Sequence, residues 1–170
     1  MGIISDTHGL VRPEAVSALR GCDALVHAGD VGKPHVLEEL RRLAPLTAIR
    51  GNVDTWAAAE LPETAELTIG GVRLFIIHNV SELAVDPRAA GYDAVISGHS
   101  HVPKAERVNG VLYLNPGSAG PRRFKLPISV AKLHIGARGL EAELIELAGQ
   151  TALHGRAAPG RGGRATRRDR

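Results

Sequence analysis

Cysteine is almost missing from this chain: a single residue, Cys22, stands among 170. With no second thiol an internal disulfide is excluded, a reducing compartment fits, and Cys22 reads as a small buried hydrophobe ahead of a reactive thiol. Aromatics are scarce too, at 3%, so packing must rest on Ala, Val, Leu and Ile, and no stacking platform for bases is evident. No apolar run approaches the roughly 18 residues of a membrane span, and the N-terminus has no basic segment followed by a long apolar one. The expectation is a cytoplasmic protein with no membrane partner. What is present is ordinary for a globular chain: 44% apolar residues can bury one core.

Charge is unevenly placed. Residues 151–170 hold six Arg and one Asp, so the first 150 residues carry 15 basic and 17 acidic side chains and are slightly acidic. The stretch GRAAPGRGGRATRRDR has no apolar periodicity. The expected division is therefore a folded domain over 1–149 and a basic Gly/Arg-rich tail over 150–170, disordered and solvated, with nucleic-acid binding as the alternative.

Short apolar runs alternate with amphipathic ones through the first hundred residues (GIIS, PEAVSALR, ALVHA, PHVLEELRRLA, LTAIR, DAVIS), which implies parallel βαβ units. Val36, Leu37, Leu40 and Leu43 fall at helical spacing behind Pro34, a residue suited to a first turn. Further on, ELTIGGVRLFII and ERVNGVLYLN read as hairpins turning on Gly-Gly and Asn-Gly, and ISVAKLHIGARGLEAELIEL as a less regular third. The expected class is α/β, with two mixed β-sheets packed as a sandwich and flanked by helices; edge strands of the hairpins leave a homodimer open.

Five strand-like runs end in metal-ligand types: GIIS before Asp6 and His8, ALVHAG before Asp30, LTAIRG before Asn52, LFII before His78, and AVISG before His99 and His101. Open α/β sheets place their sites beyond the carboxyl ends of strands. Any one of these seven residues could serve structure alone, but five coincidences on one edge argue for a shared site. The i, i+2 spacing of Asp6/His8 and of His99/His101 would let each pair point one way from extended backbone. Imidazole with carboxylate suits Mn, Fe, Co, Ni or Zn. Seven candidates are too many for one ion, so two ions sharing a carboxylate is the economical arrangement. Glycines before Asp30, Asn52 and His99 permit close approach of backbone to ligand.

In order, GIISDTHG, HAGD, RGNVD, the lone His78, GHSH and NPGS at 115–118 resemble the signature of the calcineurin-like metallophosphoesterases, over roughly residues 2–147. More narrowly the chain is similar to the small bacterial and archaeal phosphodiesterase group related to the retromer scaffold subunit. The resemblance implies a four-layer αββα fold and a dinuclear phosphoesterase acting on a small phosphoester, a phosphodiester more than a phosphomonoester. It assigns Asp6, His8 and His101 to one metal, Asn52, His78 and His99 to the other, and Asp30 to the bridge. Asp30, Asn52 and His99 are the catalytic candidates, two divalent transition metals (Mn foremost; Fe, Ni, Co or Zn otherwise) the cofactors, and a hydroxide between them the in-line nucleophile. A scaffold of weak or no activity, using the same fold for protein partners, is the alternative; a nuclease would differ only in substrate.

Several positions depart from the family. Val53 stands where many relatives have a His that can protonate the leaving oxygen, so esters with acidic leaving groups are the expected substrates. Asn79 and Val80 follow His78 in place of Gly, and Asn79 is expected to keep the turn by adopting positive φ. The first strand is short, which an upstream start would explain. Asp54 is expected to brace the Asn52 loop and His27 to pack or act one layer behind the ligands; Arg122 and Arg123 read as solvated loop residues, with contact to a substrate anion alongside Asn52 as the alternative. His35 and His134 read as surface residues.

Overall fold

The computed structural model describes residues 1–55, 60–136 and 139–147. The expected tail and the domain boundary at 149 lie outside the described residues. The first sheet is built from β1 (Gly2–Ile4), β2 (Leu25–His27), β3 (Leu46–Ala48), β9 (Ser129–Gly136) and β10 (Gly139–Glu146), in the order β10-β9-β1-β2-β3. The second holds β4 (Thr64–Ile69), β5 (Val72–Ile77), β6 (Ala94–Ile96), β7 (Lys104–Val108) and β8 (Val111–Asn115), in the order β4-β5-β6-β8-β7. Helices α1 (Pro13–Leu19) and α2 (Pro34–Arg41) supply the crossovers between the parallel strands β1, β2 and β3.

All three hairpins form, two of them on the expected turn residues. Gly70-Gly71 and Asn109-Gly110 each hold two consecutive positive φ angles, the backbone of a type I′ turn, between β4 and β5 and between β7 and β8. The third pair, β9 and β10, is more regular than its sequence suggests and pairs from Gly139↔Gly136 to Glu146↔Ser129. Both helices begin with Pro at their first turn, where its missing N–H costs nothing.

Side-chain alternation sorts the core into layers. Ile3, Val26, Ala131 and Leu133 of the first sheet meet Leu74, Ile76, Ala94, Ile96, Leu112 and Leu114 of the second, forming the inter-sheet core. The intervening Ile4, Leu25 and Val130 point the other way, against Ala15 and Leu19 of α1 and Val36, Leu37 and Leu40 of α2. Packing on both faces explains why β1, β2 and β6 are buried throughout. Both helices thus flank the first sheet. The outer face of the second, with Phe75, Ile77, Val95, Val111 and Tyr113, receives Leu83, which follows a 3₁₀ turn over Val80–Glu82. Cys22 packs, partly buried, against the helix layer as a small hydrophobe. Among the described residues no helix is long and apolar enough to cross a membrane.

Ile96 is fully buried in the inter-sheet core, whereas Leu144 is 40% exposed. Ile96→Ala should therefore cost about 2–5 kcal/mol in urea unfolding, and Leu144→Ala less than about 1 kcal/mol.

Candidate metal centre

Five parallel strands, three from one sheet and two from the other, run to the same edge. Asp6 and His8 follow β1, Asp30 follows β2, Asn52 follows β3, His78 follows β5, and His99 and His101 follow β6. Two groups there have ligand atoms all within 4.8 Å of one another: Asp6, His8 and His101, and Asp6, Asp30 and His78. His101 Nε2 stands 3.3 Å from Asp6 Oδ1, and His8 Nε2 3.4 Å from His101 Nε2. The Asp30 carboxylate spans the cluster, Oδ1 lying 3.4 Å from His78 Nε2 and Oδ2 3.9 Å from His8 Nε2. Asn52 and His99 are more exposed. Asn52 lines a cleft with His78, and the His99 ring meets that of His78 edge-on at 5.3 Å between centroids.

The expected extended backbone is absent. Asp6, His8, Asp30, His99 and His101 all have positive φ, between 47° and 67°. Each ligand pair thus leaves its strand through left-handed turns, a conformation that costs side-chain-bearing residues energy and concentrates at functional sites. Asn79 departs from expectation in the opposite sense: its φ is −106°, and its side-chain oxygen instead caps the 3₁₀ turn, accepting from Ser81 N at 3.1 Å and Ser81 Oγ at 2.7 Å. Capping holds the chain after His78 without any left-handed residue.

The glycines matter by their missing side chains. A Cβ on Gly51 would stand 2.2 Å from Asp30 Oδ1, one on Gly29 2.5 Å from His78 Nδ1, and one on Gly98 2.7 Å from Asp6 Oδ2. The ligand loops touch backbone to side chain, so no other residue fits without displacing a carboxylate or an imidazole.

Hydrogen bonds aim the side chains. Ser5 Oγ donates to Asp6 Oδ2 at 2.7 Å and the His99 N–H to the same oxygen at 3.1 Å, leaving Asp6 Oδ1 for the cluster. His78 Nδ1 donates to the Ala28 carbonyl at 2.8 Å, which fixes the tautomer and leaves Nε2 as a lone-pair donor. The Val53 N–H donates to Asp30 Oδ1 at 3.1 Å. Asp54 accepts from the N–H groups of Gly51, Val31 and Gly32, and so ties the β3 loop to the β2 loop. His27 is fully buried: the Gly29 N–H donates to its Nδ1 and its Nε2 meets Thr7 Oγ1, locking the loops after β1 and β2 together. Ser5 and Asn115 lie within the GIIS and NPGS motifs, which do not by themselves give either a bracing role; Asn115 Nδ2 donates to the Gly98 carbonyl at 2.6 Å and to Ser100 Oγ at 3.1 Å. No periodic or compositional signal marks a lone Ser or Asn as a brace.

Arg123 reaches His8, with Nη2 3.4 Å from its Nε2, while Arg122 lies exposed beside it. His35 is exposed on α2, and His134 pairs across the hairpin with Glu143 at 3.1 Å.

Buried charge without full compensation is the electrostatic signature. Burial raises the Asp6 carboxyl to about 6 against the Ser5 hydroxyl. Burial also pushes Asp30 up, but the adjoining His78 ring, the Val53 N–H and His8 outweigh it and bring the carboxyl to about 2. Burial, Arg123 and His8 lower His101 to about 4, and burial lowers His8. His78 is desolvated, yet the Asp30 carboxylate and the Ala28 carbonyl raise it. Asp6 Oδ1 and His78 Nε2 have close neighbours but no aligned hydrogen bond, and both are fully buried. Orphaned acceptors of this kind, in a mixed N/O set, fit divalent cations of the Mn–Zn series.

The model of the calcineurin-like phosphoesterase superfamily domain matches residues 1–138. A protein named a probable metallophosphoesterase, from Methanothermobacter thermautotrophicus, is 36% identical over 157 residues, covering 85% of this chain and 91% of its own. The solved structure of an archaeal phosphodiesterase superposes with a TM-score of 0.71 at 25% identity, covering 85% of this chain and 98% of the other. Vps29 complexed with Zn²⁺, from Entamoeba histolytica, superposes with a TM-score of 0.66 at 22% identity over 87% of this chain and all of that one.

Burial holds His27 at about 4 in the folded state, below its ordinary 6.5. The unfolded chain therefore takes up this proton first, so the stability that His27 contributes is complete above about pH 6.5 and is lost as pH falls toward 4. In metal-free protein His27→Gln should flatten the fall in urea midpoint over that window; an unchanged slope would remove His27 from the account.

Proposed function

The chain belongs to the calcineurin-like phosphoesterase superfamily, and from that premise we propose that it is a dinuclear metal-dependent phosphodiesterase. The observation that carries the reading is the Asp30 carboxylate facing His78 with one oxygen and His8 with the other. In this reading Asp6, His8 and His101 hold one ion, Asn52, His78 and His99 the other, and Asp30 both. Such a pair, Mn²⁺ foremost with Fe, Ni, Co or Zn as alternatives, supplies positive charge to the phosphoryl oxygens and lowers the pKa of water.

The chain's own part is geometric. Hydrolysis forms a bond from a water oxygen to phosphorus and breaks the bond from phosphorus to the leaving oxygen, in line. His99 and Asn52, the exposed members, border the open side of the cluster, where the phosphoester would enter. Ser5, Ala28, Asp54 and Asn115 hold carboxylates, rings and loops in place before substrate arrives, so little reorganisation is needed during reaction. Val53 offers its backbone N–H to Asp30 but no side-chain proton, so the departing oxygen draws its proton from solvent and acidic leaving groups are favoured. A second reading, a metal-binding scaffold of weak or no turnover, draws its support from the likeness of fold to Vps29.

Metal-stripped protein should gain turnover of an aryl phosphodiester on addition of Mn²⁺, with the aryl phosphomonoester slower. Asp30→Ala should lose at least the roughly 100-fold that removal of an outer partner of a metal ligand can cost. A folded protein whose melting temperature rises with Mn²⁺ but which turns over neither ester would favour the scaffold. Val53→His should raise turnover of an alkyl phosphodiester by about tenfold or more and leave the aryl ester nearly unchanged, since general acid catalysis typically supplies about 10²–10⁴-fold; equal effects on both esters would show that proton donation is not what position 53 lacks.

A further inference from the structure

The loop after NPGS carries a side chain that nothing so far explains. Phe124 is 92% exposed, the most exposed of the large hydrophobics among the described residues, in a chain with only two Phe. Its φ is +54°, a conformation for which Gly or Asn is the ordinary choice and a bulky aromatic an outlier. The Leu126 N–H donates to the Arg123 carbonyl at 3.2 Å, so Phe124 and Lys125 form the tip of a closed turn. Neither packing nor turn propensity favours this residue here.

The turn stands on a fixed base. Ser118 Oγ donates to the Asp6 carbonyl at 2.9 Å, the Ala119 N–H to the Ser5 carbonyl at 3.1 Å, and Arg12 to the Gly120 carbonyl at 3.1 Å. A Cβ on Gly120 would stand 2.4 Å from the Asp6 carbonyl oxygen, so residues 118–120 lie flush on the segment that bears Asp6 and His8. On its far side the loop returns through the Ser118↔Ile128 bridge. Phe124 is flanked by Arg122, Arg123 and Lys125, all exposed, and Arg123 touches His8. In a body of slightly acidic balance this is a concentrated cationic patch, and it adjoins the cluster assigned to phosphoester cleavage.

We propose that residues 121–127 are a substrate arm for nucleotide phosphodiesters, in which Phe124 stacks on the base while Arg122, Arg123 and Lys125 meet phosphate oxygens. The chemistry that recognises a nucleotide is an aromatic face beside positive charge, since every base offers a π-face and every linkage an anion. An exposed aromatic among cations at the mouth of a phosphoester site matches both halves of that ligand. The strained φ then has a reason: it turns the ring outward at a place where a smaller residue would be more stable. The proposal rests on the phosphoesterase reading for the chemistry at the cluster, and adds the organic group that the substrate carries.

The test uses two esters with the same leaving group, thymidine 5′-(p-nitrophenyl phosphate) and methyl p-nitrophenyl phosphate, so that nucleoside and methyl differ only on the retained side. Mn²⁺-loaded protein should prefer the nucleoside ester in kcat/KM, and Phe124→Ala should cut that preference about tenfold through KM while leaving the methyl ester unchanged. Phe124→Trp should restore it, and in metal-free protein its added tryptophan emission should be quenched by an oligodeoxyadenylate but not by inorganic phosphate. Phe124→Asn should raise the melting temperature while losing the preference, which separates recognition from folding. Equal preference in wild type and Phe124→Ala, or Phe124-dependent sedimentation with anionic phospholipid vesicles in place of any nucleoside effect, overturns the proposal while turnover of the methyl ester keeps the phosphoesterase reading. Quenching by the oligonucleotide in a protein that hydrolyses neither ester supports the arm and sinks the hydrolytic reading.

Discussion

Five titratable side chains gathered at one edge, Asp6, His8, Asp30, His78 and His101, set the terms for everything around them. Burial works against the charged forms of Asp6, His8 and His101, whereas Asp30 and His78, 3.4 Å apart, stabilise each other. The fold offsets part of this with Ser5, the Val53 N–H and the Ala28 carbonyl, each spent on one atom of the cluster. It holds the rest by rigidity: left-handed turns at five of the ligand candidates and three glycines that no side chain could replace. Marginal stability elsewhere in the chain has to absorb that strain.

How much of this was legible beforehand follows from which physics is local. The hairpins could be read because Gly-Gly and Asn-Gly encode positive φ by themselves, and α2 because Val36, Leu37 and Leu40 repeat at helical spacing. The candidate ligands could be read because strands end at the site, so sequence order and spatial order agree. What failed was conformation at the ligands: the i, i+2 pairs converge through turns at positive φ, with bonds from other loops at Asp6, His8 and His99 that sequence spacing does not encode. Asn79 was assigned a left-handed turn from its propensity, and its side chain found a capping role instead. Ser5 and Asn115 stood within motifs, but their bracing roles were invisible, since the rotamer that turns Ser5 Oγ to Asp6 Oδ2 and the approach of Asn115 to the Gly98 carbonyl are set by the tertiary structure.

The loops around the cluster divide the labour between holding and meeting. Asp54 and His27 are buried and tie one loop to the next, so they serve order. Asn52, His99 and the Arg122–Lys125 turn are exposed, and in the proposed reading they are what an incoming ester would meet. Recognition can then vary by changing the exposed turn while the buried braces stay fixed.

The candidate ligands come from both layers of the sandwich: Asp6, His8 and Asp30 extend from the first sheet, His78 and His101 from the second. A cation held by them would act as a rivet through the seam, and any sliding of one sheet over the other would change its coordination distances. Stiffness of the aliphatic layer between Ile3 and Ile96 would thereby become a determinant of metal affinity, and an ion bound at the rim would in turn resist shear between the two sheets.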